Sequence, residues 1–170
     1  PAENLGCMGD GGAVATDDLN FAERIKTIRT HGCAKKYHYD LLGGNFRLDT
    51  MQAAFLEVLL DKSDAWIESR RSNAKYYELE LGKIKEIKLP KDCPGHAWNQ
   101  YTLRLNRRDE LKKFLDDNNI GSAIYYPIPL HYSEKIFGKS QNLPETDARC
   151  KEVLSIPIYP GLSELERKTV

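Results

Sequence analysis

The sequence predicts an α/β chain, and three observations carry that expectation. Residues 98–160 alternate strand-like and helix-like patterns with short connections, as in a small α/β or α+β layer. Residues 17–30 and 49–81 carry apolar side chains at helical spacing. With 170 residues and 41% apolar side chains, the chain is one domain by length, or a modest domain with an appendage, and can supply a core.

The first element is a glycine-rich turn. Gly6, Gly9, Gly11 and Gly12 let the backbone take positive φ and pass close to other groups. No Lys follows the last glycine, so this is not a phosphate loop of the G-x-x-x-x-G-K-[ST] kind. Ala13-Val14-Ala15-Thr16 reads as a short buried strand, with Asp17 or Asp18 as the cap of the helix that follows. Leu19, Ala22, Ile25 and Ile28 share one face of that helix, and His31-Gly32 ends it with Gly in the C′ place.

From Cys33 to Asn45 the periodicity disappears. Lys35, Lys36, Tyr37, His38, Tyr39 and Asp40 crowd a polar, aromatic stretch closed by Gly43-Gly44-Asn45. It reads either as a long surface loop or as a functional one, since ordered loops of about a dozen residues tend to serve a purpose. A helix then starts at Asp49 with Leu48, Met51, Phe55, Val58 and Leu59 on its apolar side. The pattern resumes through Trp66, Ile67, Arg70, Ala74, Tyr77 and Leu81, so one helix bends near Ser63 or two abut there. Gly82 stops it, and the boundary between two parts of the chain is expected there: 1–82 and 83–170.

In the second part, residues 84–90 read as an edge-like strand ended by turn residues. Residues 98–105 alternate as a strand, with Asn99, Tyr101, Leu103 and Leu105 on one side. A helix follows over 108–117 with Leu111, Phe114 and Leu115 inward, closed by Asn118-Asn119. Residues 120–126 read as a strand running into Pro127-Ile128-Pro129-Leu130-His131. A helix over 144–154, an extended stretch over 155–160 and a helical tail over 163–170 complete the chain.

Composition narrows the function. With 25 basic and 25 acidic residues the net charge is zero, which gives no electrostatic case for nucleic acid or an anionic membrane. No run approaches the roughly 18 apolar residues of a spanning helix, and no signal-peptide pattern is visible. The four cysteines (Cys7, Cys33, Cys93 and Cys150) form no C-x-x-C pair, which argues against structural zinc and for a reduced, cytoplasmic setting. The start at Pro1 without an initiator Met, and the uncapped end of the tail, read as a fragment or the product of a truncated gene.

Four motifs in order carry a resemblance to a known family. Pro1-Ala2-Glu3-Asn4-Leu5-Gly6 with Gly9-Asp10-Gly11-Gly12-Ala13 resembles Pro-x-Lys-Asn-Leu-Gly followed by Gly-[Asp/Glu]-Gly-Gly-Ala, the active-site segment of the DegT/DnrJ/EryC1/StrS sugar aminotransferases. His31-Gly32, Lys36-Tyr37 and Gly43-x-Asn45-x-Arg47-Leu48-Asp49-x-x-Gln52-Ala53-Ala54 are similar to a second block of that family. Trp98-Asn99-Gln100-Tyr101-Thr102 and Ile124-Tyr125-Tyr126-Pro127-Ile128-Pro129-Leu130-His131 look like its small-domain signatures.

The resemblance implies the C-terminal half of a fold-type I (aspartate aminotransferase-like) enzyme: the last part of the large domain, then the small α/β domain. It implies pyridoxal 5′-phosphate as cofactor, a nucleotide-linked keto sugar and glutamate as small-molecule partners, and a homodimer with cofactor sites between subunits. Asn45 matches the Asn that reaches across to the cofactor phosphate; read from the residue alone, it is equally a left-handed loop Asn. Lys36 and Tyr37 would lie near the partner subunit's nucleotide-sugar, where a cation suits a diphosphate. Tyr126 and His131 would lie toward the sugar or serve as buried structural groups. Arg47 and Asp49 fit a structural role, as an ion pair or helix cap.

Glu3 departs from the pattern. It stands where the family's Lys forms the Schiff base with the cofactor, and a carboxylate cannot form an imine. The family's cofactor-stacking aromatic and the acid that pairs with the pyridine nitrogen belong to its N-terminal half, which this chain does not span. The resemblance thus implies a sugar aminotransferase half that Glu3 disables. Two rivals stand beside it: a family member that lost the Lys and performs dehydration or nothing at all (some relatives carry His there and work with the pyridoxamine form), and a non-catalytic domain that pairs with a partner.

Overall fold

The computed structural model describes residues 4–133, 136 and 141–170. They form two compact units, Pro1–Ser63 and Asp64–Val170.

The first unit opens with the glycine-rich segment and α1 (Leu19–Arg29). Asp18 caps α1, its carboxylate accepting from the Asn20 and Phe21 amides at 2.9 and 3.1 Å. The helix ends one residue earlier than the sequence suggests. His31 takes the left-handed position with φ 63°, and Gly32, with φ 73°, returns its N–H to the Thr27 carbonyl at 2.9 Å. The expected buried strand at Ala13–Thr16 is a correction: those residues are exposed and form no strand, because no neighbouring strand is there to pair with them among the described residues.

The aperiodic stretch after Gly32 is a small hairpin. β1 (Cys33–Lys35) pairs antiparallel with β2 (His38–Tyr39), Cys33 facing Tyr39 and Lys35 facing His38. Strands of three and two residues are too short to show a period of two. The chain then returns alongside the end of α1. Gly44 donates to Ile28, His31 donates to Gly44, Phe46 donates to Arg29, and Asn45 pairs with Thr30. Next comes α2 (Thr50–Leu60), with Asp49 at its cap position but no side-chain cap bond.

The second helical stretch is a separate helix, α3 (Ser63–Leu81), so two helices abut near Ser63. α3 belongs almost wholly to the second unit, so the division falls before it, whereas the sequence reading puts it after, at Gly82. Its side chains explain this. Ala74 and Tyr77 enter the core with Trp98, Tyr101, Leu103, Leu115, Leu154, Ile156, Ile158 and Leu162. A strip of donors on the same helix meets the proline-bounded segment after the sheet. Ser69 Oγ donates to the Pro160 carbonyl at 2.6 Å, Asn73 Nδ2 to Tyr159 at 3.1 Å, Arg70 Nη1 to Ile158 at 3.4 Å and Tyr77 hydroxyl to Pro157 at 2.9 Å.

The sheet of this unit is antiparallel. β3 (Tyr101–Arg104) pairs with β4 (Val153–Ile156) in the register Tyr101–Ile156 to Arg104–Val153. The two expected outer strands shrink to single bridges, Lys88 with Arg104 and Ala123 with Ser155. Residues 84–87 turn instead of extending, as the Ile87 amide bonds back to the Ile84 carbonyl at 3.2 Å. Left-handed Trp98 (φ 50°) breaks the expected alternation, so Trp98 and Tyr101 are both buried.

α4 (Arg108–Asp117) has the expected bounds, and Asn119 at φ 59° follows its end. Leu115 is buried, while Phe114, expected inward, is exposed, and the Arg108 side chain is buried with its Nη1 on the Val153 carbonyl at 3.0 Å. α5 (Pro144–Glu152) ends two residues early, because Val153 and Leu154 join β4. α6 (Glu164–Thr169) starts with a capping box in which Ser163 and Glu166 satisfy each other's backbone amides.

Candidate functional site

The sequence-selected residues fall in both units, and each group is described by itself. In the first unit, Glu3 lies outside the described residues. Its neighbour Asn4 has a buried side-chain oxygen with no hydrogen-bond partner among the described residues. Gly6 and Gly9 take positive φ (76° and 144°), as the turn requires. The first and second motifs meet here: the Met8 amide donates to Gln52 Oε1 at 2.9 Å, and a Cβ on Gly9 would stand 2.9 Å from Gln52 Nε2. Gln52 drew attention only as a motif letter; its clasp on the glycine turn needs the fold to be seen. Met8, Asp49, Thr50, Met51 and Gln52 line a cavity of about 500 Å³ at the start of α2.

Asn45 is exposed, with its backbone fixed by pairing to Thr30. Its side-chain oxygen accepts from Arg47 Nε at 2.9 Å, which leaves the amide nitrogen as the half of the group that can donate elsewhere. That is the half of the amide a phosphate can use, so this residue fits a cofactor phosphate. Neither an Arg47–Asp49 ion pair nor a side-chain cap by Asp49 occurs among the described residues; Arg47 orients Asn45 instead. Lys36 and Tyr37 form the tip of the hairpin. Tyr37 is left-handed (φ 70°), and Lys36 Nζ lies 5.0 Å from the Tyr37 ring centre. Both are exposed, so a cation and a ring are presented together at the tip.

In the second unit, Tyr126 is 69% exposed and packs edge-on to Tyr125 at 5.6 Å. Both tyrosines line a cavity of about 750 Å³. One wall is the segment from Tyr125 to Leu130; the other is Thr146, Arg149 and Cys150 of α5, with Val153. The walls are mostly apolar and aromatic. Arg149 reaches Glu152 at 2.9 Å and Glu145 at 2.5 Å. Arg149 and Arg104 together hold the Glu152 carboxyl below the usual carboxylate range by hydrogen bonding it.

His131 is 7% exposed and does not line this cavity. It sits on a short 3₁₀ turn (Leu130–Tyr132), with Nε2 3.1 Å from Asp147 Oδ1 on α5. Sequence reasoning passed over Asp147; its spacing from His131 carries no signal, since the two meet only when the Pro127–Leu130 segment packs on α5. Among the described residues no cluster of three or more His, Cys, Asp or Glu could hold a metal, and no helix is long and apolar enough to cross a membrane. All four cysteines are unpaired.

Comparison with known proteins places this arrangement. The chain is 42% identical to a pleiotropic regulatory protein of Geobacillus stearothermophilus, over 100% of this chain and 48% of that protein. It is 40% identical to the dTDP-3-amino-3,4,6-trideoxy-alpha-D-glucose transaminase of Streptomyces venezuelae, over 95% of this chain and 44% of that protein. Among solved structures, S. venezuelae DesV in complex with a ketimine intermediate matches with a TM-score of 0.91 and 38% identity, over 98% of this chain and 46% of that one. The chain spans about half the length of the curated relatives it matches. The fold is that of the corresponding half of pyridoxal-phosphate-dependent sugar aminotransferases. With the family profile matching residues 1–170 from end to end, the chain belongs to the DegT/DnrJ/EryC1/StrS aminotransferase family.

Proposed function

We propose that the full protein containing this chain binds pyridoxal 5′-phosphate and a nucleotide-linked keto sugar, with glutamate as amino donor, and that Glu3 leaves it unable to transfer the amino group. The observation that carries the reading is Asn45, whose amide oxygen is taken by Arg47 so that its nitrogen is left to donate to a phosphate. The sugar would be one used in cell-surface polysaccharide or a secondary metabolite, and the protein a cytoplasmic homodimer.

Bound cofactor supplies the electron sink for amino transfer; the protein supplies position and charge. Asn45 holds the phosphate. Lys36 at the hairpin tip neutralises the diphosphate of the nucleotide, with Tyr37 beside it. Tyr126 and the wall it belongs to meet the sugar, and His131 stands behind that wall. In this reading residues 1–82 complete the large domain and 83–170 form the small one, α3 counting with the large domain by chain order although it packs in the second unit.

Glu3 favours a second reading, a lysine-less relative that dehydrates its sugar or works with the pyridoxamine form. A carboxylate replaces both functions of the amine poorly: it forms no imine, and its charge is unfavourable near a phosphate. One experiment separates the readings. The protein expressed in full is mixed with cofactor, glutamate and a keto-sugar nucleotide, as wild type, Glu3→Lys and Asn45→Ala. Expected are cofactor binding without amine transfer in the wild type, and transfer in Glu3→Lys. In Asn45→Ala, cofactor affinity should be about tenfold weaker or more, as for one lost hydrogen bond to a charged group. Transfer at a normal rate by the wild type contradicts the role given to position 3. Unchanged cofactor affinity in Asn45→Ala contradicts the role given to Asn45.

A further inference from the structure

The cavity between the Tyr125–Leu130 wall and α5 is held by side chains at one end. Pro127 and Pro129 have no amide hydrogen to offer α5. The backbone bonds that follow are local, Tyr132 to Pro129 at 3.1 Å and Ser133 to Leu130 at 3.0 Å. Among the described residues, the polar ties between this segment and α5 all end on Asp147. His131 Nε2 lies 3.1 Å from Asp147 Oδ1, and neither atom makes a hydrogen bond among the described residues. The Tyr132 hydroxyl is close enough to feel the same carboxylate, and its ring stands edge-on to His131 at 4.8 Å.

The position of this cluster gives it a function. Leu130 and Thr146 line opposite walls of the cavity, and His131 and Asp147 are their immediate successors. We propose that Asp147 is a positioning residue of the sugar pocket: through His131 it sets how far the Pro127–Leu130 wall stands from α5. The inference rests on the reading above, in which that wall meets the sugar. Without the carboxylate, the buried imidazole nitrogen loses the polar group 3.1 Å away, and the wall must shift for it to find water. The pocket would then lose its width while the first unit, with Asn45, is untouched.

The test separates sugar binding from cofactor binding. With the protein expressed in full, calorimetric titration gives the Kd for pyridoxal phosphate and for two probes, a dTDP-linked 3-amino-3,4,6-trideoxyglucose and a UDP-linked N-acetyl-3-aminoglucosamine. Asp147→Ala should weaken the better-bound sugar nucleotide by about tenfold and leave the cofactor Kd within about twofold, and Asp147→Asn, which keeps an acceptor oxygen, should recover most of the loss. If Asp147→Ala does not fold, His131→Gln decides on the same two readouts, with an expected loss of about threefold for the sugar alone. Equal loss for cofactor and sugar, or no loss for the sugar, overturns the inference. A wild type that binds neither sugar nucleotide overturns the substrate reading and this inference with it.

Discussion

At the scale of single residues, the first unit turns on Gly32. A Cβ there would stand 1.7 Å from the Leu41 carbonyl oxygen, at a φ of 73° that side chains rarely adopt. The Gly32 carbonyl itself accepts from the amides of Asp40 and Leu41 at 3.1 and 3.3 Å, closing the base of the hairpin. Gly32→Ala should therefore destabilise this unit by about 3 kcal/mol or more, since a backbone clash adds to the strain. Hydrogen exchange at Asp40 and Leu41 should speed up markedly. Gly12→Ala, where an added Cβ meets nothing within 4 Å, is the control and should leave exchange unchanged. The sequence marked Gly32 as a helix stop but not as a hairpin base, because the partner at Leu41 is brought there by folding. Asn45 stands out in its motif, but the Arg47 bond to its side-chain oxygen does not, since a Gly-x-Asn-x-Arg string does not say which way an amide faces.

At the scale of elements, helices were more legible than strands, although β3 (Tyr101–Arg104) lies within the strand expected over 98–105. α4 has the expected bounds because its apolar periodicity and its Asn-Asn end are local signals. β3 and β4 are four residues each, and what places them is their pairing with one another. α3 shows what periodicity misses: Arg70 falls in its periodic pattern and Ser69 and Asn73 fall outside it, yet all three bind carbonyls. Tyr77 belongs to both patterns, buried in the core with its hydroxyl on Pro157. Burial pushes the Tyr77 and Tyr101 hydroxyls up to about 12. Both titrate higher folded than unfolded, so the stability they contribute is whole below pH about 10 and is lost as pH rises toward 12. Urea denaturation of the second unit between pH 8 and 11.5 should show that decline. Tyr77→Phe keeps the ring but loses the hydroxyl bond. It should cost about 1 kcal/mol at neutral pH and make the alkaline decline shallower.

At the scale of the whole chain, the two units differ in how they bury apolar surface. The second has a contiguous core of ten buried residues among the described ones. In the first, Leu56 is the one large apolar side chain buried among the described residues, while Leu19, Phe21, Phe46 and Met51 are exposed and Leu42 is 97% exposed. Few buried contacts mean a low free energy of local opening. Limited proteolysis of this chain alone should therefore cut within residues 4–63 first and leave a resistant fragment starting near residue 64. Equal protection of both units would contradict it. The family was legible because its motifs are strings of chemistry, independent of where the domains divide. The division near Ser63 was not legible, because it depends on which carbonyls the polar face of α3 meets.

Those carbonyls have a further consequence. The run Pro157–Pro160 follows directly on β4, and a bare run of backbone acceptors at the end of a sheet invites a strand from another molecule. Here each acceptor from Pro157 to Pro160 already holds a donor from α3, and the two prolines offer no amide in return. That stretch is closed to strand addition by its own helix, so the second unit is protected there from edge-to-edge aggregation even when it stands alone.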